Sequence, residues 1–323
     1  MKRFVAALAA VSVALVGCVA ASGSAQSSTV AGVSSPQWNT TGYHLNRAGT
    51  SPYLGNAVVP LKTTTWGTVD KNGVLNVSLH GEPVYHPVNS AWWMNQMISS
   101  YKVTGNKAYL DQAEATARYL IRYSVSDKNG VWFQYHFLHE PGTLKLGSPW
   151  VSGMAQGMML STFVNLYEAT GDPYWKTWAD RTFKTYQAPK STTAPWFQTM
   201  KVLGGKKFLF FEEYPAKQDP QINHVVNGNI YAMYGLYDYY RMTGNGTAQW
   251  LFDTAASSMR DSFGSYRNPG KPSWYAATYY GRTVWGTPKN YHNGVISELR
   301  MLGKMTGDRQ FTSQADTLYR DYH

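Results

Sequence analysis

Two kinds of helical pattern alternate along the chain at a long, regular interval. Four stretches are apolar nearly all round: His86 to Ser100, Trp150 to Leu166, Val225 to Tyr240 and Asn293 to Leu302. A helix with no polar face belongs inside a fold. Each stretch runs into a Thr-Gly pair, at Thr104-Gly105, Thr170-Gly171, Thr243-Gly244 and Thr306-Gly307, spaced 66, 73 and 63 residues apart. Glycine there suits the left-handed residue that closes a helix. Beyond each pair a more charged run resumes, as in Ala108 to Tyr123 and Phe311 to Tyr322, and suits an outer layer. The repeat predicts an all-α-dominated fold: an incomplete α/α toroid of about four helical hairpins, with the starts of the inner helices around one cleft.

Strand-like runs interrupt this pattern. Thr63 to Val69 and Val74 to Leu79 flank the turn sequence Asp70-Lys71-Asn72-Gly73 and predict a small N-terminal β-hairpin, an appendage to the helices. Three aromatic connections, Trp132 to Leu138, Trp196 to Phe211 and Trp274 to Trp285, each lead from an outer helix to the next inner one. They should form short β insertions that deliver residues to the rim. The expected organisation is a leader over residues 1–25, a lead-in segment with the hairpin over 26–82, and the toroid over 83–323.

The leader changes the picture of where the protein works. Met1-Lys2-Arg3 is basic and Phe4 to Val16 is an apolar run too short for a membrane span, which together read as a secretory signal. It ends either at Gly23-Ser24-Ala25, an ordinary cleavage site, or at Leu15-Val16-Gly17-Cys18, a lipoprotein-like box that would anchor Cys18 to a membrane through lipid. Either way the protein is expected to be secreted or held at the cell envelope. Cys18 is the only cysteine, so the mature body has neither a disulfide nor a cysteine ligand. The net charge of +10 falls to +8 without Lys2 and Arg3 and favours an anionic partner. Acidic polysaccharide, a membrane surface and nucleic acid all fit that charge, export argues against nucleic acid, and a homodimer stays open. Aromatic residues equal charged ones, 48 of each, a ring supply that suits either a helix-packing core or a sugar cleft.

Acids are few, and the candidates on cleft-side connections are Glu82, Glu140, Glu212, Glu213 and Asp219. Glu212 and Glu213 are adjacent in a strand-like run, so they point to opposite faces and cannot form a glycosidase pair. Asn89, Ser152, Asn227 and Asn293 fall near the starts of the four inner helices and read as N-caps or as cleft contacts. His86, His224 and His292 recur at three of those starts without metal-binding spacing, so no metal is expected and hydrogen-bonding roles are. No phosphate loop and no GxSxG motif occurs, and no cofactor is expected.

Several segments carry a resemblance. Ser152-Gly153-Met154-Ala155-Gln156-Gly157, Phe211-Glu212-Glu213-Tyr214-Pro215, Val226-Asn227-Gly228-Asn229 and, near the C-terminus, Trp274-Tyr275 and Asn290-Tyr291-His292 fall in order and with spacing similar to the D-glucuronyl C5-epimerases. That resemblance implies inversion of glucuronate to iduronate within a heparosan-like chain. It implies Glu213, Tyr214, Tyr275 and Tyr291 as the catalytic group and Asn227 as a uronate contact. Gln156 and His292 are further candidates for the cleft. Thr278 stands where the family has an arginine, and Arg282 is the candidate to take over its contact with the uronate carboxylate. The chemistry agrees: proton loss beside a carboxylate needs donors to offset developing charge, and inversion needs a base on one face and an acid on the other. Glu213 and Tyr291 are the pair chosen. A uronate lyase shares the carbanion, and a non-catalytic glycan-binding lipoprotein is the alternative of another class.

Overall fold

Each Thr-Gly pair proves to be one part of a three-residue hinge. The structure, a computed structural model, describes residues 35–62, 64, 67–79 and 81–323, of which 36–323 group as one compact unit. The leader with Cys18, residues 26–34 of the lead-in segment and part of the first hairpin strand lie outside the described residues. At the hinges Gly105, Gly171, Gly244 and Gly307 adopt φ of 69 to 72°. The preceding threonine hydroxyl donates to the carbonyl four residues back at 2.7 Å in all four repeats. The same hydroxyl accepts the N–H of Asn106, Asp172, Asn245 or Asp308. Those side chains in turn cap the next helix. One Thr-Gly-Asn/Asp triplet thus ends one helix and starts the next, satisfying backbone groups that both ends leave open.

The hairpins are α1 (Pro87–Thr104) with α2 (Lys107–Arg122), α3 (Gly153–Thr170) with α4 (Pro173–Lys184) and α5 (Val226–Thr243) with α6 (Gly246–Asp261). After the short helices α7 (Phe263–Tyr266) and α8 (Tyr279–Trp285) comes the last pair, α9 (Lys289–Thr306) and α10 (Arg309–Asp321). The inner helices α1, α3, α5 and α9 pack in that order, and no comparable packing joins α9 back to α1. The toroid is therefore incomplete, as the repeat predicts. Its tightest joint is α3 on α5, where a Cβ on Gly235 would meet the carbonyl of Gly157 at 2.4 Å. Those two glycines let the backbones touch.

The strands are β1 (Gln37–Trp38), β2 (Thr68–Val69), β3 (Leu75–Leu79), β4 (Glu82–Tyr85), β5 (Val125–Asp127), β6 (Gly130–Trp132), β7 (Gln198–Leu203) and β8 (Lys206–Phe211). The N-terminal hairpin forms, with Val69 opposite Leu75, and gains β4 as a third strand. It is more than an appendage. Val74 and Leu75 are fully buried in the helical core, and Gly73 accepts hydrogen bonds from Gln112 and Thr116 of α2. The segment before it is also structural: β1 adds to β8 in parallel, and Tyr43 and Leu45 join the core. Of the three aromatic connections, Trp196 to Phe211 is the hairpin β7–β8 as expected. Trp132 to Leu138 contributes only the end of β6 and one bridge, Tyr135 to Trp150. Trp274 to Trp285 makes one bridge, Val225 to Ala276, and then turns helical because Thr278 caps α8.

Candidate active site

The end of β8 sorts its two carboxyls to opposite faces, as strand alternation requires. Glu213 turns toward the starts of the inner helices, where Gly228 makes room for it: a Cβ there would lie 2.4 Å from Glu213 Oε2. Tyr275 Oη donates to that oxygen at 3.4 Å. Two backbone bonds hold Tyr275 there, Val226 N–H to its carbonyl at 3.0 Å and its own N–H to Gly286 at 3.0 Å. Tyr214 also bonds to Glu213, and its ring lies between His139 and Trp285 at centroid distances of 4.7 and 5.2 Å. Tyr291, in the first turn of α9, meets the Tyr275 ring edge-on at 4.7 Å and is 44% exposed, so it forms the open side of the cluster. The structure thus brings Glu213, Tyr214, Tyr275 and Tyr291 together.

Electrostatics around this cluster are unusual for a basic protein. Burial pushes the Glu213 carboxyl up to about 7, only partly offset by hydrogen bonds from Tyr214 and Tyr275. Burial also raises Tyr214, Tyr275 and Tyr291, and the Glu213 charge adds to the effect. All three phenols therefore rest as neutral proton donors. A tyrosine base favoured by a neighbouring cation is one option for this chemistry, but the leading influences on these three phenols are burial, the Glu213 charge and one another, with no cation among them.

A fifth group belongs to the site, and the sequence reading passed it by. Glu298 of α9 is buried, its Oε2 has no hydrogen-bond partner among the described residues, and it interacts with Glu213 and bonds to Tyr231 of α5. Burial first, and then the Glu213 charge, lift it to about 8. The signal was present. Tyr291, Val295, Glu298 and Leu302 follow helical spacing, and an acid in an otherwise apolar inner stripe has to face something polar.

The remaining candidates divide. Asn227, in the first turn of α5, is buried with no partner for its Oδ1 among the described residues and stands next to Gly228, against which Glu213 lies. Gln156 is fully engaged elsewhere: it accepts from Phe133 N–H at 2.9 Å and donates to Val131 carbonyl and Thr185 hydroxyl at 2.9 and 3.1 Å. Its amide ties α3 to β6. Arg282 donates to the Ser265 carbonyl and lies over the Trp274 ring at 5.7 Å, so its guanidinium is not among the partners of Glu213. His292 accepts from Ser273 N–H at 2.9 Å and stacks near His323, a C-terminal tie. Of the four expected N-caps only Ser152 is one; His86, Val225 and Pro288 hold the other cap positions, and Asn89, Asn227 and Asn293 lie inside their helices. Glu82, Glu140 and Asp219 are surface residues. Among the described residues no group of three or more His, Cys, Asp or Glu is gathered as a metal site.

Fold and cluster together define an α/α-toroid protein with an acid and tyrosine centre at the starts of its inner helices. The chain belongs to the D-glucuronyl C5-epimerase family: residues 126–319 match the family described as D-glucuronyl C5-epimerase C-terminus. An uncharacterised protein of Methanocaldococcus jannaschii is 26% identical over 208 residues, 62% of this chain and 63% of that protein, so the chain spans less than two thirds of that relative. Among solved structures, D-mannose isomerase is similar with a TM-score of 0.52 at 15% identity, over 84% of this chain and 65% of that one. An inactive variant of the α-1,6-mannanase of Salegentibacter sp., solved with α-1,6-mannotetrose, gives 0.52 at 14% identity, over 78% and 65%. Cellobiose 2-epimerase of Bacillus thermoamylovorans gives 0.50 at 14%, over 81% and 66%. These three share the fold.

Proposed function

We propose that the protein is a carbohydrate epimerase that inverts C5 of D-glucuronate residues to L-iduronate in an acidic polysaccharide. The observation that carries this reading, beside the family match, is Glu213: a buried carboxyl held near 7, bonded to Tyr275, with neutral tyrosines around it. A group that titrates near the working pH is well matched to taking a weakly acidic proton. In the glucuronate direction Glu213 removes the C5 proton from one face and Tyr291 returns one to the other. Tyr275, which bonds to both, carries the proton back between turnovers. Glu298, protonated below about 8, donates to the uronate carboxylate beside Asn227 as negative charge builds, in place of the arginine absent at Thr278. Protein groups alone supply each of these roles.

The basic leader and the acidic substrate belong to the same reading: the protein works outside the cytoplasm, either released after Ala25 or anchored by lipid at Cys18. Intact mass of the mature chain separates these two. For the activity itself, the test is two-dimensional NMR of glucuronate-containing polymers incubated with the protein in heavy water. Deuterium at C5 and growth of iduronate signals without chain shortening are expected. An unsaturated uronate would replace this reading with a lyase, and binding without C5 exchange would replace it with a non-catalytic glycan-binding protein.

A further inference from the structure

The opposite face of the β8 end carries a second built site. Glu212, fully buried, accepts from the Thr199 hydroxyl at 2.6 Å, pairs with His224 Nδ1 at 2.6 Å and accepts the His224 backbone N–H at 3.0 Å. His224 itself sits at φ 50°, a left-handed conformation that a non-glycine residue adopts at a cost. The ring stacks on Phe210 at 3.9 Å between centroids. Backbone, ring and one nitrogen are all fixed, which leaves Nε2 as the remaining polar atom of the ring.

His224 lines a cavity of about 760 Å³, within the range that small ligands occupy. Thr199 lines it too, with Trp38, Lys190, Lys201, Tyr279 and Tyr280 among the rest. Its charges are unequally matched. Lys190 is paired with Asp219, whereas Lys201 is exposed and makes no ion pair among the described residues. A two-residue ladder separates the cavity from the Glu213 cluster: Ala277 N–H donates to His224 carbonyl at 3.0 Å, and Val225 bridges Ala276. The cavity therefore backs onto the catalytic strand end and lies outside the cluster.

We propose that this cavity is a second binding site, for an acidic sugar residue, with His224 and Lys201 contacting its carboxylate and the rings of Trp38 and Tyr280 packing against its C–H faces. An unpaired lysine and an oriented imidazole supply charge and a directed hydrogen bond, while aromatic faces suit the apolar side of a pyranose. The ligand class rests on the function proposed above; the site rests on the cavity and the Glu212–His224 pair. The acidic sugar can be a distant residue of the same polymer or a free uronate, and the two share this chemistry.

The test follows the eight histidines by 13C at Cε1 in the full mature chain, with His224→Asn identifying the His224 signal, since asparagine tolerates positive φ. Titration with glucuronic acid and with a heparosan octasaccharide should shift that signal saturably. The shift should persist in Glu213→Gln and weaken at least about tenfold in affinity in Lys201→Glu, whose exposed position leaves the fold intact. A response to the octasaccharide alone assigns the site to polymer, and a response to both at equal affinity assigns it to a single uronate. No saturable shift with either probe overturns the site. So does a shift lost in Glu213→Gln, which would report the reaction cleft instead. C5 exchange in the wild-type protein is measured separately, so failure of the proposed reaction and failure of this site are told apart.

Discussion

Glu212 and Glu213 are neighbours at the end of one strand, both buried, and their surroundings give them opposite chemistry. On the Glu212 face, hydrogen bonds and the charge of His224 outweigh the burial penalty and hold the carboxyl below the usual glutamate range. On the Glu213 face burial wins, because only phenols answer it, and the carboxyl rises to about 7. A buried carboxylate with a basic partner is structure; one without is a reservoir for a proton. The difference lies in what each facing segment supplies: His224 and Thr199 on one side, Tyr275, Tyr214 and Tyr291 on the other.

The largest effects should come from exchanging each acid for its amide. Glu213→Gln should lower C5 exchange by about 10³ or more, since it removes the proposed base while keeping shape. Its fold should gain, with a sign set by pH. The folded carboxyl is raised, so the wild type holds stability below the ordinary glutamate range that it loses as pH climbs to about 7, roughly 3 kcal/mol in all. The melting-temperature advantage of Glu213→Gln should therefore grow from pH 5 to pH 8. Glu212→Gln should do the reverse. It breaks a buried pair, costing about 3 kcal/mol or more at neutral pH, and because the native carboxyl is lowered, the deficit should shrink as pH falls below the ordinary glutamate range. Calorimetry of both variants across pH checks the pair. Equal melting behaviour would break the comparison.

How much of this was legible in the sequence follows from the physics of each part. The hinge triplets are local, with every bond made within a few residues, and so the repeat and the toroid could be read from spacing alone. The opposite aim of Glu212 and Glu213 was also local, a matter of strand alternation. What could not be read was which partner lay across each face, because Tyr275 arrives from 62 residues further on and His224 folds back across the irregular loop that follows Glu213. Glu298 was missed for a related reason: the acids were sought on connections, and this one projects from an inner helix. The N-caps failed at three of four starts because the cap position can fall two to five residues before a conspicuous asparagine, on a proline, a valine or a histidine.

Glu298 sharpens the comparison at an intermediate scale. If its neutral acid donates to the uronate carboxylate, glutamine can do the same, and alanine cannot. Glu298→Gln should keep kcat/KM within about threefold near pH 7, whereas Glu298→Ala should lose on the order of 10². The pH profile carries the sign. Wild-type activity should rise as Glu213 ionises through about 7 and fall as Glu298 ionises through about 8, and because the two carboxyls interact, these limbs belong to the pair. Glu298→Gln should remove the alkaline fall and leave the acid limb in place, since Glu298 is neutral while Glu213 titrates. An inactive Glu298→Gln would make this residue a base, and Tyr291 would lose its place opposite Glu213.

The smallest effect is expected at Arg282, a cation of α8 that could overturn the contrast between the two faces. Were it to reach the reaction centre, it would lower Glu213 and favour a phenolate, and the Glu213 side would resemble the Glu212 side. Its present bonds argue against that, with Nη2 on the Ser265 carbonyl, the guanidinium over Trp274 and Nε buried with no partner among the described residues. These are ties between α8 and the α7 turn. Arg282→Ala should accordingly lower kcat/KM by less than about threefold and leave the acid limb of the pH profile where it was, with the loss appearing as a modest drop in melting temperature of a few degrees. A loss near 10² in kcat/KM with the fold intact, together with an upward move of the acid limb, would mean that the side chain swings across to the uronate carboxylate during turnover, and that the cation missing from the resting cluster arrives with the substrate.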